Sequence, residues 1–173
     1  MSETTIQLRS GAYFDFANPS AVELCIEDIA QGLASTCRFG GHCWPFYSVA
    51  EHSALVSYIV PPYLAMIGLM HDAAEAVLGD IPKPLKRLLP DYCRIEKEVE
   101  AALARQYGLP GFKPPLVKKA DIAILRTEQM QLFVPDDKWI ETKGAEAANV
   151  NIEAWTPDEG RERFLERYYE LAA

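Results

Sequence analysis

The stretch Tyr63-Leu64-Ala65-Met66-Ile67-Gly68-Leu69-Met70-His71-Asp72-Ala73-Ala74-Glu75-Ala76-Val77-Leu78 decides how the rest of the chain is read. It lacks the strict alternation of a half-buried strand and is rich in strong helix formers, so it predicts an apolar helix over residues 63–78, stopped by Gly79. A helix this apolar belongs inside a bundle of other helices. It is too short, and too interrupted by His71, Asp72 and Glu75, to cross a bilayer, which takes a run of about 18 or more apolar residues.

The flanking sequence supplies the other helices. Three segments open with a hydroxyl residue followed three positions later by Glu, the reciprocal capping pattern. Ser20 with Glu23 predicts a helix to about Leu33, and Ser48 with Glu51 predicts one to about Val60, before Pro61-Pro62. Thr156 with Glu159, and Pro157 at the first helical position, predicts the C-terminal helix over about 157–172. Residues 82–89 read as a short, proline-punctuated helical turn. Asp91 is expected to cap a helix to about Tyr107, with Gly108 past its end, and Pro114-Pro115 introduces another to about Leu132. Residues 6–16 mix β-formers with Gly11 and suggest an extended arm or small hairpin, and residues 135–155 read as an acidic, irregular loop or lid. The expectation is an all-α, orthogonal multi-helix bundle forming a single domain over 1–173, with its core at about 20–132.

Composition narrows the classes of function. With 173 residues and 49% apolar content, the chain has enough material for one sizeable core. The polar, acidic start Met1-Ser2-Glu3-Thr4-Thr5 lacks a secretory signal, and the four cysteines form no C-x-x-C pair. The expected compartment is a reducing cytoplasm, with free thiols and no membrane partner. The net charge of -8 argues against gripping a nucleic-acid backbone. Local basic clusters still permit a small anionic substrate.

Of the three histidines, two sit on apolar helix faces. His52 is one turn from Val49, Leu55 and Val56, and His71 is one turn after Ile67. Asp72 is one turn after Gly68 and Leu69, and Asp121 is one turn from Val117, Ile124 and Leu125. Singly, each has an ordinary explanation as a hydrogen-bonded core residue or a cap. Two histidines and two aspartates on the buried faces of three helices favour a bound cation, because unpaired buried carboxylates cost several kcal/mol each. Imidazole with carboxylate suits zinc, manganese, cobalt, nickel or iron. Glu75, one turn after His71 and Asp72, and Asp80, just past Gly79, are candidates to orient or deprotonate a water. Arg38, Lys83, Lys86, Arg87, Lys118 and Lys119 flank these segments, as suits a phosphate substrate. A solvated helix face is the better explanation for Lys119 and Arg87. Gly40-Gly41 is no phosphate loop, since the G-x-x-x-x-G-K pattern is absent.

The segments Ser48-Val49-Ala50-Glu51-His52-Ser53, His71-Asp72-Ala73-Ala74-Glu75, Gly79-Asp80-Ile81-Pro82-Lys83-Pro84 and Lys118-Lys119-Ala120-Asp121 resemble the HD-domain phosphohydrolases in order and chemistry. The resemblance covers roughly residues 36–130 and is greatest to the bacterial 5'-deoxynucleotidases and the short phage dATP triphosphohydrolases. It implies His52, His71, Asp72 and Asp121 as ligands of a divalent transition metal, Glu75 as the residue handling the attacking water, and Asp80 as its assistant. It further implies that Arg38, Lys86 and Lys118 hold phosphates, that Pro84 lines the base pocket, and that Phe39 stacks on the base where relatives often carry Trp; Lys83 is a further cation for a triphosphate tail. Magnesium carried in by substrate phosphates would be compatible. Glu75 is followed by Ala76, which argues against the guanosine tetraphosphate hydrolases, whose pattern has an adjacent Glu-Asp pair. The expected activity is hydrolysis of a deoxynucleoside mono- or triphosphate at the α-phosphorus, with dAMP and dATP favoured. The expected partners are that small molecule and further copies of the chain. The competing expectation is a degenerate helical module that binds a nucleotide as a signal.

Overall fold

The computed structural model describes residues 3–134, 136 and 138–173. Among them, eight α-helices follow a two-stranded hairpin: α1 Ile26–Ser35, α2 Val49–Ile59, α3 Ala65–Met70, α4 Glu75–Leu78, α5 Lys83–Lys86, α6 Pro90–Gln106, α7 Pro115–Leu132 and α8 Pro157–Ala172. The hairpin pairs β1 (Thr5–Gln7) with β2 (Tyr13–Asp15), with Ile6 opposite Phe14. Phe14 is buried in the core, with Leu8 and Phe16 packed against it, and the hairpin is fastened to α1 where Ser10 donates from its backbone N and its hydroxyl to Asp28. The fold is the all-α bundle that the sequence predicts.

The main core joins α1, α2, α3, α6 and α8 through Ile29, Leu33, Val49, Leu69, Met70, Val99, Leu103 and Phe164. A second cluster, with Leu55, Val56, Ile67, Val117 and Ile124, seats α7 against α2 and α3. Two glycines set the close approaches that shape the site. A Cβ on Gly32 of α1 would lie 2.3 Å from the carbonyl oxygen of Ala76, and one on Gly68 of α3 would lie 3.1 Å from Ser57 Cα of α2. No larger residue fits at Gly32 without separating α1 from α4.

Three expected helix boundaries are corrected. The first helix starts at Ile26, with Cys25 at the N-cap, and not at Ser20. The backbone of Leu24 is held outside any helix by the end of α6: its N–H donates to Gln106 Oε1, and its carbonyl accepts from Gln106 Nε2 and Tyr107 Oη. Asp91 does not cap α6; Leu89 is the N-cap, and Asp91 stands in the first turn, where its charge favours the helix dipole. The predicted helix over 63–78 is divided. A 3-10 turn at Pro62–Leu64 leads into α3, and residues 71–74 form a tightened turn before α4. There Ala73 N–H donates to Met70 O and Glu75 N–H to Asp72 O, each at 2.9 Å, the i→i+3 spacing of a 3-10 turn.

Other helix ends fall where the sequence places them. Ser48 caps α2 by accepting from Glu51 N–H, Thr156 and Glu159 complete a reciprocal box at α8, and α7 runs from Pro115 to Leu132. Gly108, past the end of α6, takes a positive φ of 63°. The expected loop over 135–155 is irregular apart from a 3-10 turn at Ile140–Thr142; Pro135 and Asp137 lie outside the described residues. It is tied down where Gln129 Nε2 donates to Asp136 O and Thr142 Oγ1 donates to Gln129 Oε1.

Candidate metal centre

α2 brings His52, the end of α3 brings His71 and then Asp72, and α7 brings Asp121 to one point. His52 Nε2 and His71 Nε2 are 3.3 Å apart. Asp72 Oδ2 lies 3.1 Å from His71 Nε2 and 3.6 Å from His52 Nε2. Asp121 Oδ1 lies 3.2 Å from His52 Nε2 and 4.0 Å from His71 Nε2. Ligands held about 2.1 Å from one ion stand roughly 3.0–3.5 Å from each other, so His52, His71 and Asp72 have the spacing of a shared coordination sphere. Asp121 stands beside this group from α7, nearer to His52 than to His71.

The far side of each imidazole shows why these nitrogens suit a cation. His71 Nδ1 lies 2.8 Å from the carbonyl oxygen of Gly68, which can only accept, so Nδ1 carries the hydrogen. His52 Nδ1 lies 2.6 Å from Glu128 Oε1 and donates to it in the same way. In the neutral rings both Nε2 atoms then present lone pairs to each other, an arrangement that a shared cation or a proton must relieve. The electrostatics agree. Burial and Arg38 would push His52 down, but Glu128 and Asp121 outweigh them and push it up to about 10. Asp72 is held well below the usual carboxylate range: burial opposes this, and His71, His52 and Arg38 overcome it.

Glu75, buried at the start of α4, points one oxygen at Lys86 Nζ, 3.3 Å away. Its Oε2 is buried and has no partner among the described residues. Burial pushes its carboxyl well above the usual range, with Asp72 and Asp80 adding to the effect against Lys86 and Arg38. Asp80 Oδ2 accepts from Phe39 N–H at 3.3 Å and so pins the loop that carries Arg38. Arg38 is buried, donates to Glu128 Oε2 at 3.0 Å and approaches Asp72 Oδ2 at 3.8 Å, while its Nε has no partner. Phe39 takes a positive φ of 58° and packs edge-on against Phe133, with centroids 5.0 Å apart, and against Trp139, at 5.6 Å.

The remaining expected residues stand apart. Lys86 is drawn inward but is shared between Glu75 and Glu96. Lys83, Pro84 and Lys118 are exposed, and no hydrogen bond or ion pair among the described residues joins either lysine to the cluster. Two buried acids escaped the sequence reading. Glu128 follows Asp121 by two helical turns, between Ile124 and Leu132 on the buried stripe of α7, and that placement was the available signal. Glu51 appeared to be only a capping residue. Its carboxylate instead accepts from the backbone N–H of Glu153 (2.7 Å), Ala154 (3.1 Å) and Trp155 (2.8 Å).

No helix among the described residues is long and apolar enough to cross a membrane. No family model matches the chain. It is 41% identical over 169 residues to the uncharacterized protein YfdR of Escherichia coli K12, covering 96% of this chain and 95% of that one. It is 36% identical over 124 residues to an uncharacterized protein of Rhodobacter capsulatus, covering 66% of this chain and 63% of the other. A shorter match, 30% identical over 71 residues, links it to a 5'-deoxynucleotidase of Vibrio atlanticus, covering 32% of this chain and 37% of that enzyme. The chain therefore belongs to the family of Escherichia coli YfdR, with 5'-deoxynucleotidases as distant relatives.

Proposed function

We propose that this chain is a metal-dependent phosphohydrolase that cleaves deoxynucleotides at the α-phosphorus, releasing the deoxynucleoside with phosphate or triphosphate. The observation that carries the reading is the pair of Nε2 atoms at 3.3 Å, each with its Nδ1 hydrogen bound on the far side. His52, His71, Asp72 and Asp121 would hold a divalent cation such as cobalt, manganese, zinc, nickel or iron, which when bound would lower the pKa of a water and neutralise phosphoryl charge. The distant 5'-deoxynucleotidases supply the substrate class.

The chain's own residues divide the remaining work. Glu75, through its unpartnered Oε2, accepts the proton of the attacking water. Arg38, through its unpartnered Nε, donates to a phosphoryl oxygen while its other nitrogens stay on Glu128 and Asp72. Asp80 keeps the Arg38–Phe39 loop in place through Phe39 N–H. Phe39, braced by Phe133 and Trp139, offers an aromatic face for the base.

Metal analysis of the purified chain, with a screen of deoxynucleoside and ribonucleoside mono-, di- and triphosphates, tests the reading. The expected result is a transition metal near one per chain, release of phosphate from dAMP or of triphosphate from dATP, and poorer ribonucleotide turnover. Nucleotide binding without hydrolysis under any of the five metals would replace it with a non-catalytic binding module.

A further inference from the structure

Glu128 has no counterpart in the roles assigned above, yet it is the group that joins the two halves of the site. Its side chain is fully buried on α7, two turns beyond Asp121. One oxygen lies 2.6 Å from His52 Nδ1 and the other 3.0 Å from Arg38 Nη2. Arg38 in turn reaches toward Asp72 at 3.8 Å. The carboxylate therefore accepts from two donors at once, and each donor touches the cluster with its other end. A partner needed only to neutralise Arg38 would have no reason to take the imidazole as well.

We infer that Glu128 is a positioning residue that sets the affinity of the centre for its cation, by fixing the His52 tautomer and holding Arg38 beside Asp72. The inference rests on the metal reading proposed above. Fixing the hydrogen on Nδ1 leaves the Nε2 lone pair directed at the cluster, and a carboxylate on the far side of a ligating imidazole raises its basicity. Glutamine cannot reproduce this. Its amide has one accepting oxygen and one donating nitrogen, whereas His52 Nδ1–H and Arg38 Nη2–H both need acceptors. Whichever way the amide turns, one of the two loses its partner. With the oxygen on the charged Arg38, the amide N–H faces His52 Nδ1 and favours the tautomer with its hydrogen on Nε2, inside the site.

The test is a cobalt(II) titration of the full chain freed of metal, followed by calorimetry and by visible absorption, in the wild type and in Glu128→Gln. The expected result is an affinity lower by about 10–100-fold, the usual cost of losing a group that orients a metal ligand, with an altered cobalt absorption band. Circular dichroism is expected to show the fold retained. A buried acid with a merely structural role would lower the melting temperature without changing the cobalt spectrum. Wild-type affinity and spectrum in a folded Glu128→Gln would overturn the inference and leave the proposed activity standing. A wild type that binds no cobalt would remove both. Should Glu128→Gln fail to fold, Glu128→Asp carries the test. It keeps both acceptors but withdraws them by one methylene, so it is expected to bind cobalt more weakly than wild type, and unchanged affinity would again overturn the inference.

Discussion

The inner centre and the cationic rim differ in how the fold pays attention to each side chain. Around His52 and His71 several groups are held from behind: His52 by Glu128, His71 by the Gly68 carbonyl, Arg38 by Glu128, and the Arg38–Phe39 loop by Asp80. At the rim, Lys83 and Lys118 are exposed and have no ion-pair partner among the described residues, and Lys86 is already shared by Glu75 and Glu96. A buried charge is tolerable only when paired, so burial and pre-organisation come together. A solvated lysine carries no such requirement, and it stays adaptable. The difference teaches that helix packing organises the buried cluster in advance, while the exposed lysines are left free to adjust.

Removing one inner carboxylate should break this contrast most severely. Asp72→Ala or His71→Ala is expected to abolish stoichiometric metal and hydrolysis together, measured by elemental analysis and phosphate release on the same sample. Full turnover by Asp72→Ala in metal-free buffer would dismantle the metal reading. Glu75→Gln should separate binding from chemistry. It is expected to keep the fold and most of the metal while turnover falls by about 10²–10⁴-fold, the range typical of a general base. Near-normal turnover would transfer the proton to Asp80 or to solvent.

Glu51 sharpens the comparison from the structural side, because it lies next to His52 but faces the chain's C-terminal segment. Its two oxygens serve three backbone N–H groups, those of Glu153, Ala154 and Trp155. Glu51→Gln replaces one oxygen by a donor and leaves at least one of these buried or part-buried N–H groups unsatisfied, at a cost of up to about 1–3 kcal/mol. Thermal or denaturant unfolding should register that loss, while cobalt affinity stays within a few-fold of wild type. A large loss of metal affinity with unchanged stability would show that Glu51 belongs to the centre and not to the scaffold.

The same residue shows where the sequence is readable and where it is not. Ser20, Ser48 and Thr156 open with one pattern and meet three fates. At Thr156 the reciprocal box forms, at Ser48 the Glu leaves for a distant backbone, and at Ser20 no helix starts because α6 holds Leu24. The pattern is local, and tertiary partners decide among its outcomes. The division of the 63–78 stretch was hidden for a different reason: residues 71–74 contain neither Gly nor Pro, and a tightened turn leaves His71 and Ala74 in helical φ/ψ. The inner residues were legible because a histidine or aspartate on an apolar face is anomalous and asks for a partner. Glu128 obeys the same rule, at the same helical period as Asp121, yet a glutamate on a helix reads first as an ordinary solvated carboxylate. Pro84 came from resemblance alone, and Lys83 and Lys118 only from their place beside the acidic segments. No periodicity marks an exposed residue as a substrate contact.

Lys118 gives the smallest expected effect and the finest test of the contrast. It is exposed on α7, three residues before Asp121, with no ion pair among the described residues. A solvated ammonium about 4 Å from a phosphate oxygen contributes on the order of 1 kcal/mol, or about fivefold. That interaction weakens further as salt rises. If dATP is the natural substrate, the triphosphate tail extends beyond the α-phosphate and needs additional cations, while dAMP ends at the metal and Arg38. Lys118→Ala is therefore expected to raise KM for dATP by a few-fold, to leave dAMP nearly unchanged, and to leave metal content untouched. The dATP defect should shrink between low and high ionic strength. Equal losses on both substrates would place Lys118 at the α-phosphate itself, and would make the monophosphate the better candidate for the natural substrate. A loss of metal in this variant would contradict the division between centre and rim, because a rim lysine touches none of the groups that hold the cation.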